Sequence, residues 1–433
     1  MDNIKGRLQC NYIMHEGVIW EKHNVIYYRG VIMKNQYFKA ASGMYINYFL
    51  LGMVNIILAS NMPSLTEQWD TDSTGISYLI AAIGIGRLLT YGLSGVLSDK
   101  FGRKPLIMVS SVIMGVFLIG IPFSPSYEMA FVFALLAGIS NSAMDAGTYP
   151  ALTEMFPESA GSASVMVKAF GSLGATILPF IILFLTTNQL FYGFAFFVPA
   201  VIYFMNMFLV MSASFPSKSE AVSKEEDLHS NRFITEPKFW SEGVALIIIG
   251  FTSTALFTVS QIWLPSFGQE VAGMQSSSAI KLLSYYSVGS LISVLLLSIL
   301  LNKWIKPVTV ILLYPMITLL TVIIILTIHS PIVLSISSFF LGASTAGIFQ
   351  LTIAIMTELF WRKKGTVTGI VATASSLASV ILPIATGLIA KSGDISHIFL
   401  FDCFIATIGI LAAAFVYYRY KKLTQQQTIF NHG

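Results

Sequence analysis

Twelve stretches of about 20 predominantly apolar residues, nearly free of charge, account for most of this sequence. A bilayer core of about 30 Å takes one helix of that length. Inside it, backbone N–H and C=O groups can be satisfied only within helices or a closed barrel. The runs are continuous rather than alternating, which excludes a barrel. The predicted fold class is therefore all-α, a polytopic membrane protein with twelve transmembrane helices. The runs are 41–60, 74–94, 105–124, 129–151, 161–184 and 190–212, then 240–265, 278–301, 307–328, 332–355, 366–390 and 397–418. Composition agrees, with 55% hydrophobic and 11% charged residues against about a quarter charged in soluble domains. Disordered, collagen-like, nucleic-acid-binding and disulfide-stapled classes are excluded. Cys10 and Cys403 lie far apart, and the six histidines show no ligand spacing. No metal site and no cofactor is expected.

The connecting segments set an orientation. With the amino terminus in the cytoplasm, the inner connections carry Lys100, Arg103, Lys104, Lys303, Lys306, Arg362, Lys363 and Lys364. The central linker adds Lys218, Lys224, Arg232 and Lys238, and the tail adds Arg419, Lys421 and Lys422. The outer connections carry Glu67, Asp70, Asp72, Glu128, Glu270 and Asp394, with Lys391 their one basic residue. Basic loops stay inside, so both termini are expected in the cytoplasm and the chain in the cell (inner) membrane. Residues 1–32 fit neither a signal peptide nor a span. Arg29-Gly30-Val31 can be encoded by a purine run resembling a ribosome-binding site, so translation is expected to begin at Met33. The alternative is a flexible cytoplasmic tail.

Segments 152–180 and 356–384 align without gaps at an offset of 204. Thr153, Glu154, Phe156, Gly161, Val167, Ser172, Leu173, Ile177, Leu178 and Pro179 recur as Thr357, Glu358, Phe360, Gly365, Val371, Ser376, Leu377, Ile381, Leu382 and Pro383. The chain thus reads as two parallel six-helix repeats, a plan suited to a transporter whose halves rock about a midplane site. The expected units are a tail over 1–36, bundles over 37–213 and 239–422, a linker over 214–238 and a tail over 423–433.

Between the second and third runs stands Gly95-Val-Leu-Ser-Asp99-Lys100-Phe-Gly102-Arg103-Lys104. Gly95 permits close helix approach and Gly102 a tight reversal. Asp99 can accept from a facing helix amino terminus, and Arg103 and Lys104 hold the loop at the cytoplasmic face. This segment resembles, position by position, the loop signature of the major facilitator superfamily. The resemblance implies that the loop latches the two halves on the inner side, with Asp99 leaning toward Gly365 and Thr366. Lys34-Asn-x-Tyr-Phe38, Gly84-Ile-Gly-Arg87-Leu, Asp145-Ala-Gly-Thr-Tyr-Pro150, Lys168-Ala-Phe170 and 280–290 resemble the bacterial YdiM/YdiN group of inner-membrane transporters. Two motifs usual in the superfamily's proton–drug antiporters are missing. The fourth run reads Leu136-Ala-Gly-Ile-Ser-Asn141 without arginine, and Pro179 of the fifth stands apart from Gly171 and Gly174.

Ionisable residues inside a span cost about 2.5–3.5 kcal/mol on insertion scales and are functional candidates by default. Asp145 and Lys168 lie at nearly equal depth on consecutive antiparallel helices and are expected to pair. The duplicated half has Phe349 and Ala372 at those positions. Asp145 is a candidate proton carrier and Lys168 a candidate anchor for a substrate carboxylate; a structural ion pair is the alternative. Arg87 is a candidate anion ligand, or a partner for Asp145 or a carbonyl. Lys281 is expected to snorkel to water, and Asp402 to be interfacial. By resemblance, Asn55, Asn141, Gln261, Trp263 and Gln350 line a polar central cavity.

No nucleophile–base constellation or phosphate loop occurs, so the chain is not expected to be an enzyme. The expected function is secondary transport by alternating access, as proton-coupled uptake of a small polar or anionic organic solute. Proton-driven multidrug efflux is the alternative. The expected partners are a small solute, a coupling proton and the lipid bilayer, with no nucleic acid and the chain as a monomer.

Overall fold

The computed structural model describes residues 36–71, 73–216, 233, 235–301, 304–390 and 395–424. The expected start at Met33, most of the linker, and the loop charges Asp72, Lys303, Lys391 and Asp394 lie outside the described residues. Among the described residues twelve helices are long and apolar enough to cross a bilayer. They are Phe38–Ser60, Gly75–Phe101, Arg103–Phe123, Tyr127–Met155, Pro157–Thr187 and Phe194–Met211, then Phe239–Glu270, Lys281–Leu300, Pro307–Thr327, Pro331–Leu359, Trp361–Ala390 and Ser396–Thr424. An even count brings residues 36 and 424 to the same side, called here the terminal face.

Two spans differ from their sequence limits for local reasons. The segment Gly95–Lys100, expected as a loop, is the last turn and a half of the second helix. The chain then reverses at Gly102 alone, with the next helix starting at Arg103. Gly102 has φ +94°, a region that a Cβ makes costly. The tenth span, expected to be unbroken, divides into Pro331–Thr345 and Ile348–Leu359. Its break is the extended Ala346 and the left-handed Gly347 at φ +82°. Ala346 is buried in protein, which lets irregular backbone persist at membrane depth.

The duplication is visible in the packing. The first span packs on the fifth, the second on the fourth, and the third on the fourth and sixth. Each pairing recurs six helices later, as seven on eleven, eight on ten, and nine on ten and twelve. Small residues set the closest of these contacts. A Cβ on Gly138 would lie 2.2 Å from the Ile83 carbonyl oxygen, and one on its repeat counterpart Gly342 would lie 1.9 Å from that of Tyr286. Backbones touch at both places, the packing that drives helix association where no hydrophobic force acts between helices.

The halves meet mainly through the second and eleventh spans and through the fifth and eighth. Gly95 abuts Gly365, and Gly369 abuts the Tyr91 carbonyl. The Tyr149 and Phe349 rings meet edge-on at 6.3 Å. Gly161 faces Pro307. These contacts lie in the half of the molecule toward the terminal face.

Gly342→Val is expected to separate the eighth and tenth helices and destabilise the protein by more than the about 1–3 kcal/mol typical of overpacking. Gly84→Ala, whose Cβ would meet nothing within 4 Å, is expected to leave the melting midpoint unchanged. Thermal unfolding of both purified variants, followed by size-exclusion fluorescence, checks the contrast.

Candidate functional site

Asp145 lies on the fourth helix, buried and facing the first and second spans. The Tyr48 hydroxyl donates to its Oδ1 and the Tyr91 hydroxyl to its Oδ2. Arg87, one turn before Tyr91, donates to the Tyr91 oxygen through Nη2 at 2.7 Å and Nε at 3.2 Å. Its Nη2 also stands 3.8 Å from Asp145 Oδ2. Two phenol hydroxyls and one guanidinium therefore converge on one carboxylate. Asp145 keeps 7% of its side chain exposed and Arg87 36%, so the guanidinium is the accessible member of the pair.

The expected pairing of Asp145 with Lys168 does not form; the ion pair recorded for Asp145 is with Arg87. Lys168 Nζ instead lies over the Phe257 ring, 4.5 Å from its centroid, bridging the fifth span to the seventh. Among the described residues no carboxylate lies within ion-pair distance of Lys168. Residue counts bear on depth along the helix alone. Each residue also turns the side chain by about 100° around the helix axis, and that angle sends Asp145 and Lys168 to different neighbours.

The polar residues divide. Asn55 and Gln261 are exposed. Asn141 is buried one turn before Asp145, and its Oδ1 has no partner among the described residues. Gln350 hydrogen-bonds Tyr149, whose ring packs on both Tyr48 and Phe349. Trp263 Nε1 donates to Thr386 Oγ1 at 2.8 Å, tying the seventh span to the eleventh. Lys281 is exposed. Asp402, expected at the interface, is wholly buried against the seventh span instead. Residue counting along the chain does not say which face of the twelfth helix is covered. Tyr48 and Tyr91 were missed. The available signal was the Arg87–Tyr91 spacing, which puts a phenol beside a membrane-embedded cation.

At the terminal face, Asp99 joins the halves. Its Oδ1 accepts from Gly365 N at 2.9 Å, and its Oδ2 accepts from Thr366 N at 2.7 Å and Thr366 Oγ1 at 2.6 Å. A carboxylate of one half thus caps the first turn of the eleventh helix in the other, where free N–H groups and the dipole favour an anion. Arg103 fixes Asp99 from behind at 2.7 Å and also reaches Glu154 at 2.7 Å. Lys104 Nζ bonds the Met211 and Ala213 carbonyls at the end of the sixth span. Lys100 rests over the Phe101 ring. At the corresponding seam of the other half, Ser162 Oγ makes one long bond of 3.4 Å to the Leu301 carbonyl.

A fold of two six-helix repeats enclosing polar and charged groups is that of a membrane transporter. The sequence matches the Major Facilitator Superfamily over residues 44–334 and 282–430. It is 67% identical over 395 residues to the MFS-type transporter YfkL of Bacillus subtilis (strain 168), covering 91% of this chain and 100% of the relative. It is 35% identical over 381 residues to the inner membrane transport protein YdiN of Escherichia coli (strain K12), covering 88% and 90%. Its fold is similar to that of the E. coli fucose:proton symporter FucP, with TM-score 0.71 at 14% identity over 88% of this chain and 99% of that one. The chain belongs to the major facilitator superfamily. It is a multi-pass membrane transporter and not an enzyme.

Arg87→Met is expected to destabilise the protein by about 1–3 kcal/mol. That is less than the 3–5 of a fully buried pair, because Arg87 is over a third exposed. Adding Asp145→Asn should recover most of the loss, whereas adding Lys168→Met should recover none. Melting midpoints of the single and double variants check the assignment.

Proposed function

We propose that this transporter takes up a small organic anion together with protons, working by alternating access. The observation that carries this reading is the charge left over inside the membrane. Arg87 and Lys168 supply two positive charges and Asp145 one negative, and Lys168 faces an aromatic ring rather than a carboxylate. A monoanion bridging Lys168 and Arg87 would complete the balance. Phe257 and Tyr149 supply apolar walls.

Coupling follows from the same geometry. A proton on Asp145 frees Arg87 from its competing anion and raises the local charge by one. For a solute carboxylate about 8 Å away at an effective dielectric of ~20, that change favours binding by roughly 2 kcal/mol, or about thirtyfold in affinity. Proton and anion then load together. The likeness in fold to a fucose:proton symporter accords with coupling of this kind.

The state described is closed at the terminal face by Asp99. The described connections there carry Lys100, Arg103, Lys104, Lys306, Arg362 and Lys363, which supports a cytoplasmic terminal face in the inner membrane. The exposure of Asn55 and Gln261 toward the other side accords with an opening to the exterior.

Reconstituted protein in vesicles with an inwardly directed proton gradient is expected to accumulate small aromatic or aliphatic carboxylates and not a neutral sugar. Lys168→Met should cut that uptake at least tenfold without lowering the melting midpoint, since it removes an unmatched charge. Asp145→Asn should abolish gradient-driven accumulation yet retain carboxylate exchange. Outward movement of lipophilic cations under the gradient, with carboxylates excluded, would overturn the reading in favour of drug efflux.

Gating by Asp99 has its own readout. Asp99→Ala removes bonds to Gly365 and Thr366, each worth about 1.5–3 kcal/mol for a charged acceptor, and should shift the population tenfold or more. Spin labels at Phe101 and Lys363, both exposed, are expected to report a longer separation in Asp99→Ala than in the parent protein.

A further inference from the structure

Asp402 is used by none of the chemistry above. It has no exposed surface, and its surroundings are the inverse of those at Asp145. Oδ1 has no partner among the described residues. Among the described residues Oδ2 receives only the Ser260 hydroxyl of the seventh span, at 3.5 Å, the limit of a hydrogen bond.

The facing groups can be enumerated by element. The seventh span has no charged residue between Glu242 and Glu270, so it offers only Ser260. The eighth brings the Tyr286 phenol within electrostatic reach, but that hydroxyl is engaged by Thr345 Oγ1 at 2.8 Å and the Phe257 carbonyl at 3.3 Å. The eighth span's Lys281 is exposed. The ninth has no charged residue, and beyond Lys364 neither does the eleventh. The twelfth contributes the neighbouring Cys403 thiol and, one turn and a half away, the exposed His397. Among the described residues no cation is positioned to hold a carboxylate here. An ionised carboxylate buried unpaired is too costly to persist and takes up a proton instead.

We infer that Asp402 is a second proton-binding site, in the carboxyl-terminal half, occupied in this conformation and emptied only when the seam between the seventh and twelfth spans admits water. The site does not depend on the solute class proposed above. It matters mechanically because the seventh span carries both Ser260 and Phe257, one turn apart, and Phe257 is the residue against which Lys168 rests. Ionising Asp402 would drive the seventh span from the twelfth and disturb that contact. The two buried acids then divide the work, as two carboxyls in opposite environments do elsewhere.

The experiment uses the full chain in lipid bilayers and needs no solute. Infrared difference spectra between the parent protein and Asp402→Asn are expected to show a protonated-carboxyl C=O stretch throughout the neutral pH range, retained in Asp145→Asn and lost in Asp402→Asn. If Asp402→Asn does not fold, Asp402→Glu should shift the band instead. A difference spectrum showing only carboxylate bands would overturn the inference. Spin labels at the exposed Ile262 and Leu400 test the mechanical part. Their separation should grow as pH is raised in the parent and stay constant in Asp402→Asn; an equal pH response in both would overturn it.

Discussion

A charge or an unpaired backbone group in hydrocarbon has no water to fall back on, and this constraint organises the whole molecule. It makes every span a helix, confines the break in the tenth span to a place covered by protein, and sends the helix-end charges to the faces. It also makes each embedded ionisable group informative. Asp145 is met by two phenols and a guanidinium, Lys168 by an aromatic ring and Asp402 by almost nothing. These are three different answers to the same cost.

The duplication supplies scaffold symmetrically and chemistry asymmetrically. Helix pairings and glycine contacts recur from half to half, down to Gly138 and Gly342. The charged groups do not. Phe349 takes the place of Asp145 and packs its ring on Tyr149, so the second half gives the site an aromatic wall where the first gives a carboxylate. The closure at the terminal face is equally one-sided. Asp99 caps the eleventh helix with short charge-assisted bonds, while among the described residues of the matching seam Ser162 makes a long one to Leu301.

Much of this was legible in the chain. Apolar run length gave twelve crossings. The offset repeat gave two halves, and the resemblance of the Asp99 segment to the superfamily's loop signature pointed to the eleventh helix. The site was legible only in part. Arg87, Asp145 and Lys168 announce themselves as charges in hydrocarbon, yet their partners do not follow from depth. Tyr48 and Tyr91 carry no comparable signal, since a tyrosine in a span is as often packing as chemistry. The loop reading of Gly95–Lys100 failed for a related reason: polarity marks where a helix leaves the bilayer, not where it ends.

The sequence alone determined that the chain crosses a membrane twelve times, that its halves are repeats, and which few residues bear charge where charge is expensive. Those are properties of composition and spacing along one dimension. Only the tertiary structure decided that Arg87 rather than Lys168 meets Asp145, that Lys168 bridges to Phe257, and that Asp402 is sealed from water. These outcomes depend on the rotation of each helix about its axis and on which neighbour it packs against, and both are fixed by contacts between residues far apart in the chain.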